Sequence, residues 1–322
     1  MKAVVIEQFG GPEVLRYKEV PTPQPGHQEV LIKVEKTSVN YADIKNRTGK
    51  KAKGDFPIIL GLDLVGTIDQ LGEGVTELTV GQRVIAFPKT GSYAEYAVAS
   101  EQLTFPIPDE ISLDVAAASP IVAFLSYKLL KDVGRMEAEE TVLVHSAAGG
   151  VGTTAIQMAK LLGASRVFGT VGSRDKFRVA YEAGADHVFT YDDFSDNILE
   201  LTDGMGVDII LDSMSGKVSE ASMSCLAEYG RLVHFGNSSG EVGHFKTNEL
   251  HNSCRSVLGF SLGNTRKKRP ELLKEAAEHV IPFLARGDLD IVIGAEFPLH
   301  EIAEAHRLIE QRQHTGKILI TV

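Results

Sequence analysis

The segment His145–Gly152, with the sequence HSAAGGVG, has the composition of a phosphate-binding turn. It follows an apolar, strand-like run at Thr141–His145 and opens a segment with helical periodicity. Small residues let the backbone approach a phosphate closely, and a helix N-terminus offers free N–H groups and a positive dipole end. The turn therefore predicts a site for the pyrophosphate of a dinucleotide. The residues assigned to it are Ala148, Gly149, Gly150, Val151 and Gly152. Alanines replace the usual first glycines, so a turn that serves only helix–strand packing is the alternative.

The type of dinucleotide is indicated by the residues after the next predicted strand. NAD-binding folds place an acidic residue about 20 positions past the glycine turn, on the adenosine ribose. Here that position is Val171, and Ser173, Arg174 and Lys176 follow shortly after. A carboxylate would repel a 2′-phosphate, whereas a hydroxyl and two cations would bind it. The sequence therefore predicts NADPH. The alternative is that Arg174 and Lys176 are exposed charges on the following helix.

The elements that position this turn fall into two patterns. Before about residue 120, short β-branched runs are separated by glycines, which predicts a curled, barrel-like β domain. The runs are Glu29–Val34, Val65–Gln70, Arg83–Phe87 and Tyr93–Ala99. A helical pattern at Ser119–Val133 follows, and from Thr141 strands and helices alternate. This alternation predicts a parallel sheet with right-handed crossovers.

The alternating region has further strands at Arg166–Val171, His187–Thr190, Asp208–Asp212 and Leu232–Phe235. Its helices are predicted at Val151–Leu162, Asp175–Glu182, Asp196–Leu201 and Val218–Glu228. The tail contains predicted helices at Pro270–Arg286 and Ile302–Gln311 and a strand at Lys317–Thr321. We expect this tail to rejoin the first domain. The predicted domains are therefore residues 1–122, 123–260 and 261–322, with the first and last forming one domain.

The composition of the chain disfavours several classes of function. The chain of 322 residues has a formal net charge of −10, which disfavours general binding to nucleic acid. The two cysteines, Cys225 and Cys254, form neither a metal-ligand spacing nor a disulfide framework, which is typical of the cytoplasm. No signal peptide is expected, and we expect no apolar stretch that approaches the roughly 20 residues needed to span a bilayer.

Several motifs along the whole chain resemble the medium-chain dehydrogenase/reductase superfamily, in its zinc-independent quinone oxidoreductase branch. They include the N-terminal segment Met1–Phe9 with Gly11–Leu15, Ser38–Asp43, Gly61–Gly66, Gly72–Val75, Val80–Val84, Ala147–Gly152, Gly184–Asp186, Val207–Asp208 with Asp212, and Phe235–Gly240. The resemblance implies an α/β fold: a Rossmann doubly wound parallel sheet plus a GroES-like β-barrel domain. It also implies a homodimer.

Zinc-dependent members of this superfamily carry a cysteine on the early strand and a Gly-His-Glu segment. Here the matching segments are Lys36–Asn40, without cysteine, and Gly61-Leu62-Asp63. Zinc sites use thiolates and imidazoles. We therefore expect no metal, and the ten histidines are expected to be structural or surface residues. His145 is expected to be a packed neighbour of the cofactor site rather than a base.

The resemblance implies specific roles for residues around the cofactor. Asn40 is expected beside the nicotinamide, where its amide would donate a hydrogen bond, and Tyr127 near the nicotinamide ribose. Lys176 and Tyr191 match positions that bind the 2′-phosphate. Gly236 and Asn237, with Phe235, are expected to close over the cofactor, and Phe260 to flank the carboxamide. The alternatives are that Asn40 forms a turn, that Tyr127 is a core aromatic and that Asn237 is only a loop residue.

The implied activity is hydride transfer from NADPH to a quinone or a related electron-poor carbonyl compound. No His–Asp or paired-carboxylate arrangement in the sequence indicates a dedicated general acid, so solvent is the expected proton source. Two alternatives stay open. The branch also resembles reductases of C=C bonds conjugated to a carbonyl, including enoyl reductases. Some relatives are non-catalytic NADPH-binding crystallins or contact AU-rich RNA. The basic run Arg266–Arg269 is interpreted as a solvated loop, with a site for the phosphate of a coenzyme A ester or for nucleic acid as the alternatives.

Overall fold

The computed structural model describes residues 1–51 and 54–322 and divides into two compact units. The first contains Met1–Phe124 and Gly263–Val322, and the second contains Leu125–Leu262. The strands are β1 (Lys2–Ile6), β2 (Arg16–Glu19), β3 (Glu29–Val39), β4 (Ile58–Ile59), β5 (Leu64–Leu71), β6 (Arg83–Ala86), β7 (Tyr96–Ser100), β8 (Thr104–Pro106), β9 (Thr141–His145), β10 (Arg166–Thr170), β11 (His187–Phe189), β12 (Val207–Asp212), β13 (Leu226–His234), β14 (Ser256–Gly259), β15 (Ile293–Pro298) and β16 (Lys317–Thr321). The α-helices are α1 (Tyr41–Arg47), α2 (Leu113–Tyr127), α3 (Gly150–Leu161), α4 (Phe177–Glu182), α5 (Phe194–Leu201), α6 (Gly216–Ser222), α7 (Thr247–Asn252), α8 (Leu262–Lys268), α9 (Glu271–Ala285) and α10 (Ile302–Glu310).

The first unit is organised around β3, which has neighbours along most of its length. β5 pairs with one edge of β3, while β7 pairs with its first half and β16 with its second half. The full sheet has the order β15-β16-β3-β5-β6-β8, with β7 also on β3, and a three-stranded sheet β2-β1-β4 accompanies it. Register shifts on both sides of Ile32–Val34 bend the β3–β5 pair, as bulges do in curved sheets. The predicted barrel-like β domain is confirmed.

The chain's C-terminal tail, from Gly263 onwards, belongs to this first unit. β16 lies antiparallel to β3, with Ile318 opposite Val39, and its residues Ile318–Ile320 are buried. The buried Arg47 of α1 contacts His306 Nδ1 of α10 at 3.1 Å and forms an ion pair with Glu310. Apolar pairing and a buried ionic contact therefore join segments that are more than 250 residues apart in sequence.

The second unit is a six-stranded parallel sheet with the order β11-β10-β9-β12-β13-β14. The chain starts at the centre with β9, runs outwards to β11, and returns to β12 on the other side of β9. This is the doubly wound order, and its ligands bind at the carboxyl ends of the strands near the point where the order reverses. β9, β10 and β12 have continuous runs of buried residues, as expected for parallel strands covered on both faces.

The structure differs from the sequence expectations at three of these elements. The helix predicted at Val218–Glu228 ends at Ser222, because Leu226 already pairs with Val207 at the start of β13. The sixth strand, β14, was not predicted. The helical pattern at Ser119–Val133 begins earlier, at Leu113, and continues as a π-helix from Lys128 to Val133.

The length of that helical stretch corrects the expectation about apolar segments. Among the described residues there is one helix, Leu113–Val133, whose length and apolar composition would be sufficient to cross a membrane. The mean hydropathy of its most apolar window is 1.5, and 78% of that window is buried in the fold. Burial of this extent is what a core helix of a globular protein shows.

Gly66 on β5 provides a test of the β3–β5 pairing. A Cβ at this position would lie 2.1 Å from the Lys33 carbonyl oxygen, so Gly66→Ala forces the strands apart. We expect a loss of about 1 to 3 kcal/mol in the free energy of unfolding, measured by urea denaturation. Gly54→Ala is the control, because a Cβ there has no heavy atom within 4 Å. Equal stability of the two variants would contradict the close approach at Gly66.

Candidate functional site

The turn between β9 and α3 has the geometry expected of a phosphate-binding turn. Gly149 is the N-cap of α3, and no side chain caps it, so the first N–H groups of the helix keep no side-chain partner. A Cβ on Gly152 would lie 2.1 Å from the Ser146 carbonyl oxygen, so only glycine allows α3 to start this close to the strand end. Ser146 itself has a φ of 55°, in the left-handed region. The turn is thus built tightly and leaves backbone donors for an anion.

Apart from Tyr127, which ends α2, the predicted cofactor residues of this unit follow the ends of five parallel strands. The ends are level, since Thr170 pairs with His145 and Phe189 with Thr170 on one side, and Gly259 pairs with His234 on the other. The segments that follow β9, β10, β11, β13 and β14 contain, respectively, Ala148–Gly152, Ser173 with Arg174 and Lys176, Tyr191, Phe235–Asn237, and Phe260. The fold therefore brings the predicted residues to one edge of the sheet.

The segment after β10 carries cations and no acidic residue at the strand end. Val171 is buried there, and Ser173 precedes a 3-10 turn, Arg174–Lys176. Arg174 is exposed and Lys176 half-buried. A hydrogen bond from Ser173 lowers the pKa of Asp175. The neighbouring carboxylate therefore engages the Ser173 hydroxyl, and the two cations are the groups best placed to meet a phosphate.

Tyr191 lies at the phosphate turn. Its hydroxyl oxygen accepts a hydrogen bond from the Ser146 N–H at 3.0 Å and contacts Ser146 Oγ at 3.4 Å. Ser213 Oγ, after β12, donates to the same Ser146 Oγ at 3.0 Å. These contacts connect the loops that follow β9, β11 and β12. Sequence reasoning assigned Tyr191 to the 2′-phosphate only and missed Ser146 and Ser213 as parts of this arrangement.

His145 is buried at the end of β9, as expected of a packed residue. Its Nδ1 contacts Thr170 Oγ1 at 2.7 Å and its Nε2 contacts Ser222 Oγ at 2.8 Å. Burial lowers the pKa of His145 to about 4, even though the Asp212 charge acts in the opposite direction. The imidazole is therefore neutral near pH 7 and links β9 to β10 and α6.

Asp212 at the end of β12 organises the neighbouring loop and was not singled out for this role from sequence. Its Oδ1 accepts the N–H groups of Met214 (2.8 Å) and Ser215 (3.1 Å), and its Oδ2 lies 2.9 Å from His234 Nδ1. Burial alone would raise the pKa of Asp212, but the contacts with His234, His145 and Ser219 hold it at about 2. A permanently ionised carboxylate thus fixes the loop after β12.

In the first unit, three strand ends converge on Asn40. Asn40 follows β3, Asp63 precedes β5, and Lys317 opens β16. The pairings of Thr37 with Leu64 and of Val39 with Ile318 place these residues side by side. Lys317 Nζ donates to Asn40 Oδ1 at 2.7 Å, and Asn40 Nδ2 donates to Asp63 Oδ1 at 3.1 Å. All three residues are buried, with 7%, 0% and 3% of Asn40, Asp63 and Lys317 exposed.

Asp43 adds a second buried carboxyl group to this cluster. It lies in the first turn of α1, where its Oδ2 accepts the Asn40 N–H at 2.9 Å. Burial, together with the Asp63 charge, raises the pKa of Asp43 to about 7 against the effect of the Asn40 N–H. Burial also raises the pKa of Asp63, which Lys317 and Ser38 oppose. This carboxyl pair could not be recognised from the sequence, because the two residues are 20 positions apart.

Comparison with known proteins assigns these two units to a family. The profile of "Alcohol dehydrogenase GroES-like domain" matches residues 26–109, and that of "Zinc-binding dehydrogenase" matches residues 150–278. The chain is 34% identical over 322 residues to a quinone oxidoreductase of Pseudomonas aeruginosa, covering 99% of each chain. The chain belongs to the quinone oxidoreductase branch of the medium-chain dehydrogenase/reductase superfamily.

Two further relatives bear on function. The structure of the Escherichia coli quinone oxidoreductase complexed with NADPH has a TM-score of 0.93 and 30% identity, with 100% of both chains covered. The chain is also 32% identical over 323 residues to a phenolphthiocerol/phthiocerol polyketide synthase subunit of Mycobacterium tuberculosis. That match covers 98% of this chain but 14% of the synthase subunit.

One of the two matching profiles is named for zinc binding, but the described residues contain no cluster of zinc donors. Over residues 1–51 and 54–322, no group of three or more His, Cys, Asp or Glu side chains is arranged to hold a metal ion. The two segments matched above to zinc-ligand motifs, Lys36–Asn40 and Gly61–Asp63, contain neither cysteine nor histidine. Asn40 instead forms hydrogen bonds with both Asp63 and Lys317.

The remaining predicted residues lie as follows. Tyr127 is the last residue of α2 and is buried, and burial raises its pKa. Asn237 Oδ1 accepts the Gly240 N–H at 2.7 Å, so its side chain shapes the loop after β13. Phe260 is anchored by its N–H, which donates to the His234 carbonyl at 3.0 Å. These contacts also agree with the alternatives, in which Asn237 is a loop residue and Tyr127 a core aromatic.

The basic run is not a solvated loop, which corrects the sequence interpretation. Arg266 lies in α8, donates to the Leu62 carbonyl at 2.8 Å, and has its guanidinium carbon 5.2 Å from the centre of the Phe87 ring. Arg269 pairs with Glu271 at 2.5 Å, while Lys267 and Lys268 are exposed. Arg266 is therefore a structural contact of the segment that leads to Asp63.

The raised pKa of Asp43 predicts a pH-dependent stability. The unfolded carboxyl titrates near pH 4 and the folded one at about 7. Its contribution to stability is therefore complete below about pH 4 and is lost as the pH rises to about 7. Asp43→Asn remains neutral, so the free energy of unfolding of the variant relative to wild type should rise across this window. This difference in the free energy of unfolding can change by at most about 1.4 kcal/mol per pH unit, because one proton is involved.

This difference is measured by urea denaturation at several pH values between 4.5 and 7.5. Asp69→Asn, which removes an exposed carboxylate from β5, controls for the change in net charge. A constant difference between Asp43→Asn and wild type would show that Asp43 is ionised in the folded protein throughout this window.

Proposed function

We propose that the chain is an NADPH-dependent quinone oxidoreductase that transfers hydride to a quinone or a related electron-poor carbonyl compound. The observation that carries this proposal is found at the edge of the parallel sheet. There, a glycine turn without a side-chain cap follows β9, and a segment with two cations follows β10, whose end carries no acidic residue. The relatives named as quinone oxidoreductases, one of them complexed with NADPH, support it. The second unit then serves as the cofactor domain and the first as the substrate domain.

The residues present fit NADPH. The free N–H groups of Gly150–Gly152 would bind the pyrophosphate. Glycine at position 152 lets this turn form, because a Cβ there would clash with the Ser146 carbonyl oxygen. Arg174 and Lys176 would bind the 2′-phosphate through charge-assisted hydrogen bonds. Phe235–Asn237 and Phe260, after the last two strands, would contact the nicotinamide half, with Tyr127 at its ribose. Because His145 is neutral and fully hydrogen-bonded, it has no place in proton transfer.

When bound, NADPH supplies a hydride, and a quinone that receives it takes up one proton to become a hydroquinone. The developing negative charge on the acceptor oxygen is stabilised by a preorganised donor, for which we propose the side-chain amide of Asn40. Since Asn40 Nδ2 uses one N–H for Asp63, its second N–H is available for the acceptor. Solvent is the proposed proton source. The reaction as proposed uses no zinc.

A second candidate is the reduction of a C=C bond conjugated to a carbonyl. The similarity to a segment of a polyketide synthase subunit favours it, because polyketide assembly acts on acyl chains. Hydride delivery and stabilisation of an oxyanion are common to both reactions. The two candidates therefore differ in the acceptor and not in the cofactor site.

We also propose that the protein is a cytoplasmic homodimer. Two free cysteines, one buried and one exposed, are compatible with a reducing compartment. Light scattering coupled to size exclusion measures the mass in solution, for which a dimer of the 34.9 kDa chain is expected. A net charge of −10 supports small-molecule acceptors over RNA as partners.

The function is tested by steady-state oxidation of NADPH and of NADH with an ortho-quinone, a simple enone and an enoyl-CoA as separate acceptors. We expect NADPH-selective turnover with the quinone, unchanged after treatment with a chelator. Turnover with the enone or enoyl-CoA alone would establish the C=C reductase instead. Binding of NADPH without turnover of any acceptor would favour a non-catalytic role.

Lys176→Glu tests the 2′-phosphate site. The loss of a charge-assisted hydrogen bond and the added repulsion should weaken NADPH binding at least about tenfold. NADH lacks the phosphate, so its dissociation constant should change by less than about twofold. Both constants are measured by titration of the nicotinamide fluorescence. Arg178→Glu makes the same charge change at an exposed side chain two residues away and is the matched control. Equal weakening of NADPH and NADH by Lys176→Glu would rule out the assigned site.

A further inference from the structure

Asn40 is held through both ends of its side-chain amide. Its Oδ1 accepts from Lys317 Nζ at 2.7 Å, and its Nδ2 donates to Asp63 Oδ1 at 3.1 Å. Lys317 also donates to the Val39 carbonyl at 3.3 Å, and Asp63 also accepts from Ser38 Oγ at 2.8 Å. Asn40 therefore bridges a buried cation and a buried anion that form no direct ion pair.

The chemistry of the two neighbours determines which way the amide points. An ammonium group only donates hydrogen bonds, so the amide oxygen must face Lys317. An ionised carboxylate only accepts them, so the amide nitrogen must face Asp63. A flipped amide would place NH₂ against NH₃⁺ and carbonyl oxygen against carboxylate. Both ends would then be repulsive in a site where water does not compensate.

We propose that Lys317 is a positioning residue for hydride transfer: together with Asp63 it fixes the Asn40 amide so that the second Nδ2–H is presented to the acceptor. This inference rests on the proposed role of Asn40 in the reaction. Lys317 acts through Asn40 and has no contact with the reacting atoms. Its charge also polarises the amide, because a cation at the oxygen makes the N–H a stronger donor.

The burial of Lys317 supports a specific role over a general one. Its side chain is 3% exposed, and burial lowers its pKa, an effect that Asp63 and Asp43 oppose. A buried ammonium is costly, and a strand that only completes a sheet would be better served by an apolar residue. Its neighbours Ile318, Leu319 and Ile320 are such residues. The lysine stands at the one position of β16 that is next to Asn40.

The decisive experiment is a double-mutant cycle between Lys317 and Asn40, with kcat for the quinone as the readout. Lys317→Met in the wild-type background should lower kcat about tenfold or more, with the NADPH dissociation constant changed by less than about threefold. In the Asn40→Ala background the same substitution should change kcat by less than about twofold, because the amide that Lys317 orients is absent. Lys317→Arg, which keeps a donating cation, should recover part of the loss.

Two further variants separate positioning from charge balance. Lys317→Met alone removes the buried cation that interacts with Asp43 and Asp63, so the fold itself is at risk. Lys317→Met combined with Asp63→Asn removes one charge of each sign. If Lys317 only balances charge, this double variant regains wild-type kcat; we expect it to remain as impaired as Lys317→Met. Lys36→Met is the matched control, since Lys36 on β3 pairs with Asp114 and Glu296 and does not contact Asn40.

A readout independent of turnover is the NMR signal of the Asn40 side chain in protein labelled with ¹⁵N-asparagine. The chain has seven asparagines, few enough to assign Asn40 by its absence in Asn40→Ala. The two Nδ2 protons should be well separated in wild type and in Lys36→Met, and this separation should collapse in Lys317→Met. An unchanged signal in Lys317→Met would overturn the inference.

The outcomes distinguish the inference from the function on which it rests. If Asn40→Ala retains wild-type kcat, the proposed role of Asn40 fails, and the inference fails with it. If Asn40→Ala is impaired but Lys317→Met lowers kcat equally in both backgrounds, the function stands and the positioning role is refuted. If no quinone is reduced at all, the function fails, and the NMR signal still decides whether Lys317 orients the amide.

Discussion

The antiparallel pairing of β16 with β3 is the contact on which the first unit depends. It joins the last residues of the chain to the longest strand and sets Ile318 opposite Val39. Because side chains alternate along a strand, this register also fixes which residue of β16 lies beside Asn40. A shift by one position would turn Lys317 away and place an apolar side chain there. One register therefore decides both the closure of the sheet and the chemistry at the end of β3.

The cost of this arrangement is the burial of charge. Asp43, Asp63 and Lys317 are removed from water in one cluster, where hydrogen bonds and the attraction between opposite charges compensate. The Asn40 side chain forms hydrogen bonds with both Lys317 and Asp63, and the Asn40 backbone N–H donates to Asp43. Natural folds retain such costly networks where orientation matters, which is the physical basis for assigning function to this cluster.

In the second unit, hydrogen bonds hold the loops at the ends of the parallel strands. Its parallel strands end level with one another, and the loops that follow are fixed by Ser146, Asp212 and Tyr191. Asp212 stays ionised because His234 and backbone N–H groups bind it. These hydrogen bonds connect the loops to one another, while the N–H groups that open α3 stay free of side-chain partners. This division between fixed loops and free donors is what an anionic cofactor requires.

The sequence by itself determined the features that depend on local patterns. The glycine turn, the strand β9 and the cationic segment after β10 were evident because each is set by neighbouring residues and by the alternation of strands and helices. The extent of α6 and the existence of β14 were not, because Leu226 and Ser256–Gly259 become strand only through pairing with β12 and β13. Only the tertiary structure brought Lys317 and Asp63 to Asn40. Lys317 and Asp63 are 277 and 23 positions away from Asn40, and neither separation corresponds to the periodicity of a helix or a strand. Their meeting follows from strand register, which is decided by the packing of the whole sheet and not by any segment alone.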